Sequence, residues 1–77
     1  MRVPTAKKWE RRGIIKWQPR VGDHQQIWMN GWGDHYKSWS KEWPQAAPVL
    51  YSSRRRALRV AKRKQRQLLR FDPWGMV

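Results

Sequence analysis

QIWMNGWGDHYKSW, residues 26–39, is the stretch that decides the fold expected of this chain. Asn30 and Gly31 divide it into two extended halves, and Asn-Gly is a strong hairpin signal because a type I′ turn needs positive φ at both central residues. Before the turn, Ile27 and Met29 alternate with Trp28, which is typical of a strand with one buried face. The stretch therefore predicts an antiparallel hairpin.

Further strands are expected on both sides of this hairpin. Alternation in WERRGIIKWQPRV predicts a strand over residues 13–18, and Gly22-Asp23 is a turn signal before the strand QQIWM. A strand over residues 32–37 completes the sheet. We predict a three-stranded antiparallel β-meander within one small domain, residues 9–71, preceded by a basic flexible arm, residues 1–8.

The segment SSRRRALRVAKRKQRQLLRF, residues 52–71, predicts one long helix at the C-terminal end of the domain. Its apolar residues share about half of a helical wheel and its cations crowd the opposite side. Ser52 or Ser53 is expected to cap the N-terminus, and Asp72-Pro73 ends the helix because proline disfavours a helical residue before it. The fold class is therefore α+β, with the meander packed against a basic helix and followed by an aromatic tail, residues 72–77.

Charge points to a polyanionic partner. The chain has 18 Lys and Arg against 5 Asp and Glu, for a net charge of +13, well beyond the magnitude of roughly 2–8 that solubility requires. No acid lies between Trp43 and Phe71, and three arginines occupy the first helical turn, where the helix dipole disfavours cations. We expect this face to neutralise phosphates, with help from three strand cations; the expected set is Arg55, Arg56, Arg59, Lys62, Arg63, Arg66, Arg70, Lys16, Arg20 and Lys37.

The seven tryptophans divide by their position along the chain. Trp17, Trp28 and Trp32 lie on predicted strands, and we expect at least two of them in the core, since large rings must supply volume in so short a chain. The others lie nearer element ends or in the tail. They are candidates for base stacking or contact with a partner; these are Trp9, Trp39, Trp43 and Trp74.

Several function classes lack support in the sequence. Cysteine is absent, and no glycine-rich phosphate loop or zincin motif occurs. The pairs Asp23-His24 and Asp34-His35 could supply metal ligands, but their spacing sets no coordination geometry. We therefore predict no enzyme activity, no cofactor and no metal.

A membrane partner is not expected either. No stretch reaches the ~20 apolar residues of a transmembrane helix, and no apolar signal segment begins the sequence. The apolar face of the helix is also needed to cover the sheet. We expect a cytoplasmic or otherwise intracellular protein.

The chain resembles small DNA-binding modules of the AP2 and integrase arm-binding type, since a tryptophan-bearing meander is followed by the segment LYSSRRRALRVAKRKQRQLL. The resemblance is carried by Tyr51, Ser52 and Ser53 at the helix entry and by Ala57, Leu58 and Ala61 on its packing face. It implies a three-stranded sheet backed by one helix, with the sheet entering the major groove. Here the helix is the more basic element, which leaves open whether sheet or helix meets the nucleic acid.

The sequence thus favours a small non-enzymatic nucleic-acid-binding protein, with double-stranded DNA expected over RNA. Its size and charge resemble those of accessory proteins of phages and mobile elements, which suggests a bacterial or phage-infected cell. One alternative is a viral or regulatory protein-interaction factor that docks through Trp39, Trp43 and Trp74. A second alternative is a peripheral ribosomal protein.

Overall fold

The computed structural model describes residues 3–41 and 46–71, which form four strands and one helix. In chain order these are β1 (Pro4–Arg11), β2 (Ile14–Val21), β3 (His24–Asn30), β4 (His35–Lys41) and α1 (Arg54–Phe71). The architecture is α+β, but the prediction of three strands was wrong: β1 occupies positions assigned in part to a flexible arm. Only Pro4 and Ala6 of β1 are half-buried, so this edge strand shows little of the apolar alternation by which strands are recognised.

The strands form one antiparallel sheet in the order β1-β2-β3-β4. Arg12 and Gly13 join β1 to β2 with φ values of 53° and 79°, the pattern of a type I′ turn. Gly22, with φ 58°, begins the predicted turn between β2 and β3.

The turn predicted at Asn30-Gly31 was wrong. Asn30 still pairs with His35 in the ladder, so residues 31–34 form a longer loop, in which the N–H of Gly31 donates to the carbonyl of Asp34 at 2.7 Å. The positive φ in this loop belongs to Gly33, at 85°. Gly31 is closely packed: a Cβ there would lie 3.2 Å from the ring of Tyr36, so that ring would have to shift slightly.

A later segment of the chain is inserted between β2 and β3. These strands pair only through Arg20 with Gln25 and Val21 with His24, and beyond that point residues 47–51 lie between them. On the β3 side, the N–H of Trp28 donates to the carbonyl of Ala47 at 2.8 Å, and the N–H of Val49 donates to the carbonyl of Gln26 at 3.1 Å. On the β2 side, the backbone groups of Trp17 and Tyr51 form two hydrogen bonds with each other, both 2.8 Å long.

Helix α1 packs on one face of the sheet, against β1 and β2. The N–H of Arg56 donates to Ser53 Oγ at 3.3 Å, which confirms Ser53 as the cap. Small residues allow close approach: Ala57 and Ala61 are fully buried, and the rest of the buried apolar core is Val21, Ile27 and Val49. Within the described residues, no helix is long and apolar enough to cross a membrane.

A chain of polar side chains links the strands through Gln18, which is 1% exposed. Trp9 Nε1 donates to Gln18 Oε1 at 3.0 Å, and Gln18 Nε2 donates to the Gln26 carbonyl at 2.9 Å. Tyr51 Oη then donates to Gln26 Oε1 at 3.1 Å, and Lys37 Nζ donates to Tyr51 Oη at 3.4 Å. The network therefore contains one residue from each strand and one from the inserted segment.

Candidate nucleic-acid interface

The outer face of α1 is a continuous stripe of exposed cations. Ala57 and Ala61 fix the side of the helix that meets the sheet, and at 100° per residue the opposite side carries seven basic residues. All of them are exposed; they are Arg55, Arg56, Arg59, Lys62, Arg63, Arg66 and Arg70. From Arg55 to Arg70 the stripe is roughly 22 Å long at 1.5 Å per residue. The structure thus brings the seven predicted helix cations together on one surface, called here the helix stripe.

The stripe has no carboxylate partners among the described residues. The ion pairs among the described residues lie elsewhere. Lys8 pairs with Glu10 at 3.6 Å, and Asp23 lies 3.1 Å from His24 and 3.7 Å from Lys41. The first turn of α1 also contains no acid, so its arginines oppose the positive end of the helix dipole without compensation, a cost of about 0.3–1 kcal/mol each. This distribution of charge does not stabilise the fold and requires another explanation.

Two open grooves along the stripe are sized for anionic groups. One, of about 290 Å³, is lined by Arg55, Leu58, Arg59, Lys62 and Arg66. The other, of about 450 Å³, is lined by Arg63, Arg66, Gln67 and Arg70. Arg66 lines both grooves and therefore connects them. Planar guanidinium groups arranged in this way can hold successive phosphates with two parallel hydrogen bonds each.

The three strand cations predicted to widen this surface do not join it. Lys16 is exposed on the face of the sheet that α1 does not cover, since its neighbour Trp17 lies beneath Arg54 on the helix side. Arg20 is half-buried, and its Nε has no hydrogen-bond partner among the described residues. Lys37 is already engaged, 5.7 Å from the ring centre of Trp28 and 5.2 Å from that of Tyr51.

The expectation that at least two strand tryptophans form the core was wrong. Trp17 is half-buried, Trp28 is 36% exposed and Trp32 is fully exposed in the loop after β3. Because α1 approaches the sheet through alanines, little space remains beneath it for large rings. It also lies over β1 and β2, which leaves the ring of Trp28 on β3 in contact with Lys37 rather than with the helix.

The other candidate tryptophans differ in accessibility. Trp9 is 37% exposed, and Lys7 Nζ lies 4.7 Å from the centre of its ring. Trp39 is half-buried, with Lys64 Nζ of the helix 5.8 Å from its ring centre. Trp43, Trp74 and the predicted tail, residues 72–77, lie outside the described residues.

The histidines lie apart. His24 begins β3, whereas His35 begins β4 and pairs with the last residue of β3, so the length of the hairpin separates them. No three His, Asp or Glu side chains in residues 3–41 and 46–71 are grouped as a metal site would need.

Desolvation raises the pKa of Asp23, but Lys41, a backbone hydrogen bond and His24 outweigh it and hold that pKa below its usual value. This carboxylate therefore acts in an ion pair at the β2–β3 turn.

A second basic surface was missed by the sequence analysis. Arg11 and Arg12 are exposed at the tip of the β1–β2 hairpin, near the exposed side chains of Lys7 and Lys16. Their proximity depends on the pairing of β1 with β2. The dipeptide Arg12-Gly13 between two alternating stretches was the available signal, and it was passed over because β1 was assigned to an arm.

Comparison with protein-family models, with curated proteins and with solved structures finds no match for this chain.

Proposed function

We propose that this protein is a non-enzymatic nucleic-acid-binding protein that holds the phosphates of double-stranded DNA on the helix stripe. The observation that carries the proposal is the absence of carboxylate partners, within the described residues, for seven exposed cations on one side of α1. Such an arrangement costs stability in the free protein. Phosphates supply the missing negative charge, and their binding releases condensed counterions.

The shape of the stripe supports duplex DNA in particular. An α-helix with its side chains is about 10–12 Å across, and the major groove of B-DNA is about 12 Å wide. Arginine dominates the stripe, and its fork pairs with phosphate oxygens and with the edge of guanine. The resemblance to AP2 and integrase arm-binding modules also favours DNA, although those modules place the sheet in the groove. We infer that the helix takes that role here, in the cytoplasm of a bacterial or phage-infected cell.

The dependence of binding on salt tests this proposal. We expect about five to seven phosphates to be engaged, so log K for a duplex should fall against log salt with a slope near −0.9 per phosphate. The double variant R59Q/R66Q removes two cations of the stripe that have no carboxylate partner in residues 3–41 and 46–71. It should make that slope shallower by roughly 1.8. Fluorescence anisotropy with a labelled duplex at several salt concentrations measures both slopes.

A matched control removes the same charge elsewhere. Lys8 and Lys41 already have carboxylate partners, so K8Q/K41Q should leave the slope unchanged. Equal slopes for the helix variant and wild type would exclude the stripe as the phosphate-binding surface. A parallel titration with structured RNA distinguishes the ribosomal alternative, which requires RNA to bind more tightly than duplex DNA.

A further inference from the structure

A groove of about 610 Å³ lies on the face of the sheet that α1 leaves uncovered. It is lined by Trp9, Glu10, Arg11, Arg12, Ile14, Lys16, Pro48 and Leu50. The register places Trp9 directly opposite Lys16, and Lys16 points away from the helix because Trp17 points toward it. The groove and the helix stripe therefore belong to opposite sides of the molecule.

Apolar surface is exposed in this groove. Ile14 is 62% exposed, Trp9 37% and Leu50 36%. Apolar groups left accessible side by side are a common mark of a binding surface. Pro48 and Leu50 belong to the inserted segment, so the groove exists only when that segment lies between β2 and β3.

The charges around the groove favour an anion. Arg11, Arg12 and Lys16 line the groove and are exposed, and the exposed Lys7 lies next to it over the Trp9 ring. The acid in the groove, Glu10, is paired with Lys8 at 3.6 Å. An apolar floor with a cationic rim fits a chain that carries phosphates on one side and flat apolar rings on the other. Single-stranded nucleic acid has this character, and its unpaired bases stack on aromatic side chains.

Trp9 is held in place before any ligand binds. Its Nε1 donates to Gln18 Oε1 at 3.0 Å, and Gln18 is in turn bonded to the Gln26 carbonyl. The indole ring therefore loses little rotamer freedom when a base stacks on it. Lys7 Nζ lies over the ring, 4.7 Å from its centre, so a base that stacks on this face displaces the ammonium group, which is then free to bind a phosphate.

From these features we propose that the groove is a second binding site, for single-stranded nucleic acid, with Trp9 as the stacking residue and Lys7, Arg11 and Lys16 as phosphate ligands. The proposal rests on the nucleic-acid-binding function proposed above and extends it to a different ligand on a different surface. One molecule then holds a duplex on the helix stripe and a single strand in the groove.

Neighbouring isoleucines provide the test. Ile14 lies in the groove, whereas Ile15 points to the other face and is 42% exposed. I14E and I15E make the same chemical change one residue apart, at positions where exposure spares the core. Each full-length variant is titrated with a labelled oligo(dT) strand and with a labelled duplex, and circular dichroism checks that both variants fold.

We expect I14E to weaken oligo(dT) binding about tenfold, through repulsion of phosphate and loss of apolar contact with the bases. I15E should keep nearly wild-type affinity for oligo(dT), and duplex affinity should be close to equal in the two variants. The Trp9 indole N–H signal in a ¹⁵N correlation spectrum should shift during the oligo(dT) titration of wild type.

Equal oligo(dT) affinity for I14E and I15E would overturn the groove proposal, whatever happens at the stripe. If I14E instead loses binding of a synthetic acidic peptide of alternating Glu and Leu while keeping oligo(dT), the groove is a protein-docking site and the proposal is wrong. The proposed function fails separately: R59Q/R66Q would then keep wild-type duplex affinity and salt slope, even if I14E weakened oligo(dT).

Discussion

Gln18 shows how one polar residue can hold together a sheet with a very small core. Its amide accepts a hydrogen bond from Trp9 and donates one to the Gln26 carbonyl, at the place where β2 and β3 separate. A buried amide that makes both bonds costs little, whereas one that has lost a bond costs about 1–3 kcal/mol. Gln18 therefore adds a side-chain link between β2 and β3, which share only two ladder pairs.

Replacing Gln18 by glutamate tests this role. A carboxylate can still accept from Trp9 but cannot donate to Gln26, and it also brings a charge into a buried site. Q18E should therefore lower the free energy of unfolding by more than about 1–3 kcal/mol. Urea denaturation at neutral pH measures it. The control is Q67E, the same change at an exposed residue of α1. If the two variants unfold at the same urea concentration, the bond to Gln26 does not stabilise the sheet.

At the scale of elements, the helix was predictable and the sheet only partly so. Ala57 and Ala61 lie one turn apart, and the cations lie on the opposite side of the helical wheel. This pattern predicted α1 because one side of the helix is buried and the other is exposed. β1 lacks such a contrast, since most of its side chains are exposed. Hairpin positions were also misjudged: Asn30-Gly31 has the better turn sequence, yet the type I′ turn lies at Arg12-Gly13.

The candidate site was predictable to a similar extent. Seven helix cations on one surface follow from sequence spacing alone. The groove does not, because it also needs residues 47–51, which contact β2 and β3 only through residues far away in the sequence. Alternation assigned Trp28 and Met29 to opposite faces of the sheet, but it could not predict that α1 covers β1 and β2 and leaves β3 uncovered.

Arg12 gives a prediction for the β1–β2 hairpin. Its φ of 53° is left-handed, a region that costs an ordinary residue about 1–2 kcal/mol and that asparagine tolerates better. R12N should therefore raise the free energy of unfolding by about 0.5–1 kcal/mol, measured by urea denaturation.

The same substitution one residue earlier serves as its control. Arg11 lies in β1, where asparagine is disfavoured, so R11N should leave stability unchanged or lower it. A gain of stability in R11N equal to that in R12N would mean that loss of charge, rather than turn geometry, is responsible.

As a whole, the molecule is flat and carries cations on both broad sides. Its dimensions are 42 × 31 × 18 Å, with the helix stripe on one side and the groove on the other. A net charge of +13 in so small a volume produces repulsion that the folded chain feels more strongly than the unfolded one. Salt screens this repulsion over a Debye length of about 10 Å at 0.1 M.

Stability and DNA affinity should therefore respond to salt in opposite directions. Raising NaCl from about 0.05 to 0.5 M should increase the free energy of unfolding in urea while it weakens duplex binding. R59Q/R66Q should be more stable than wild type at low salt, and that difference should shrink as salt is added. A difference that stays constant with salt would show that these arginines affect stability through something other than repulsion.

The insertion of residues 47–51 between β2 and β3 also sets the order in which a newly made chain can fold. Residues 4–41 contain both hairpins, yet the hairpins share only the two residue pairs next to Gly22. The backbone groups of Trp17 and Trp28 receive their partners only when Tyr51 and Ala47 arrive. Completion of the sheet therefore depends on residues 47–51, which lie just before the basic helix in the sequence.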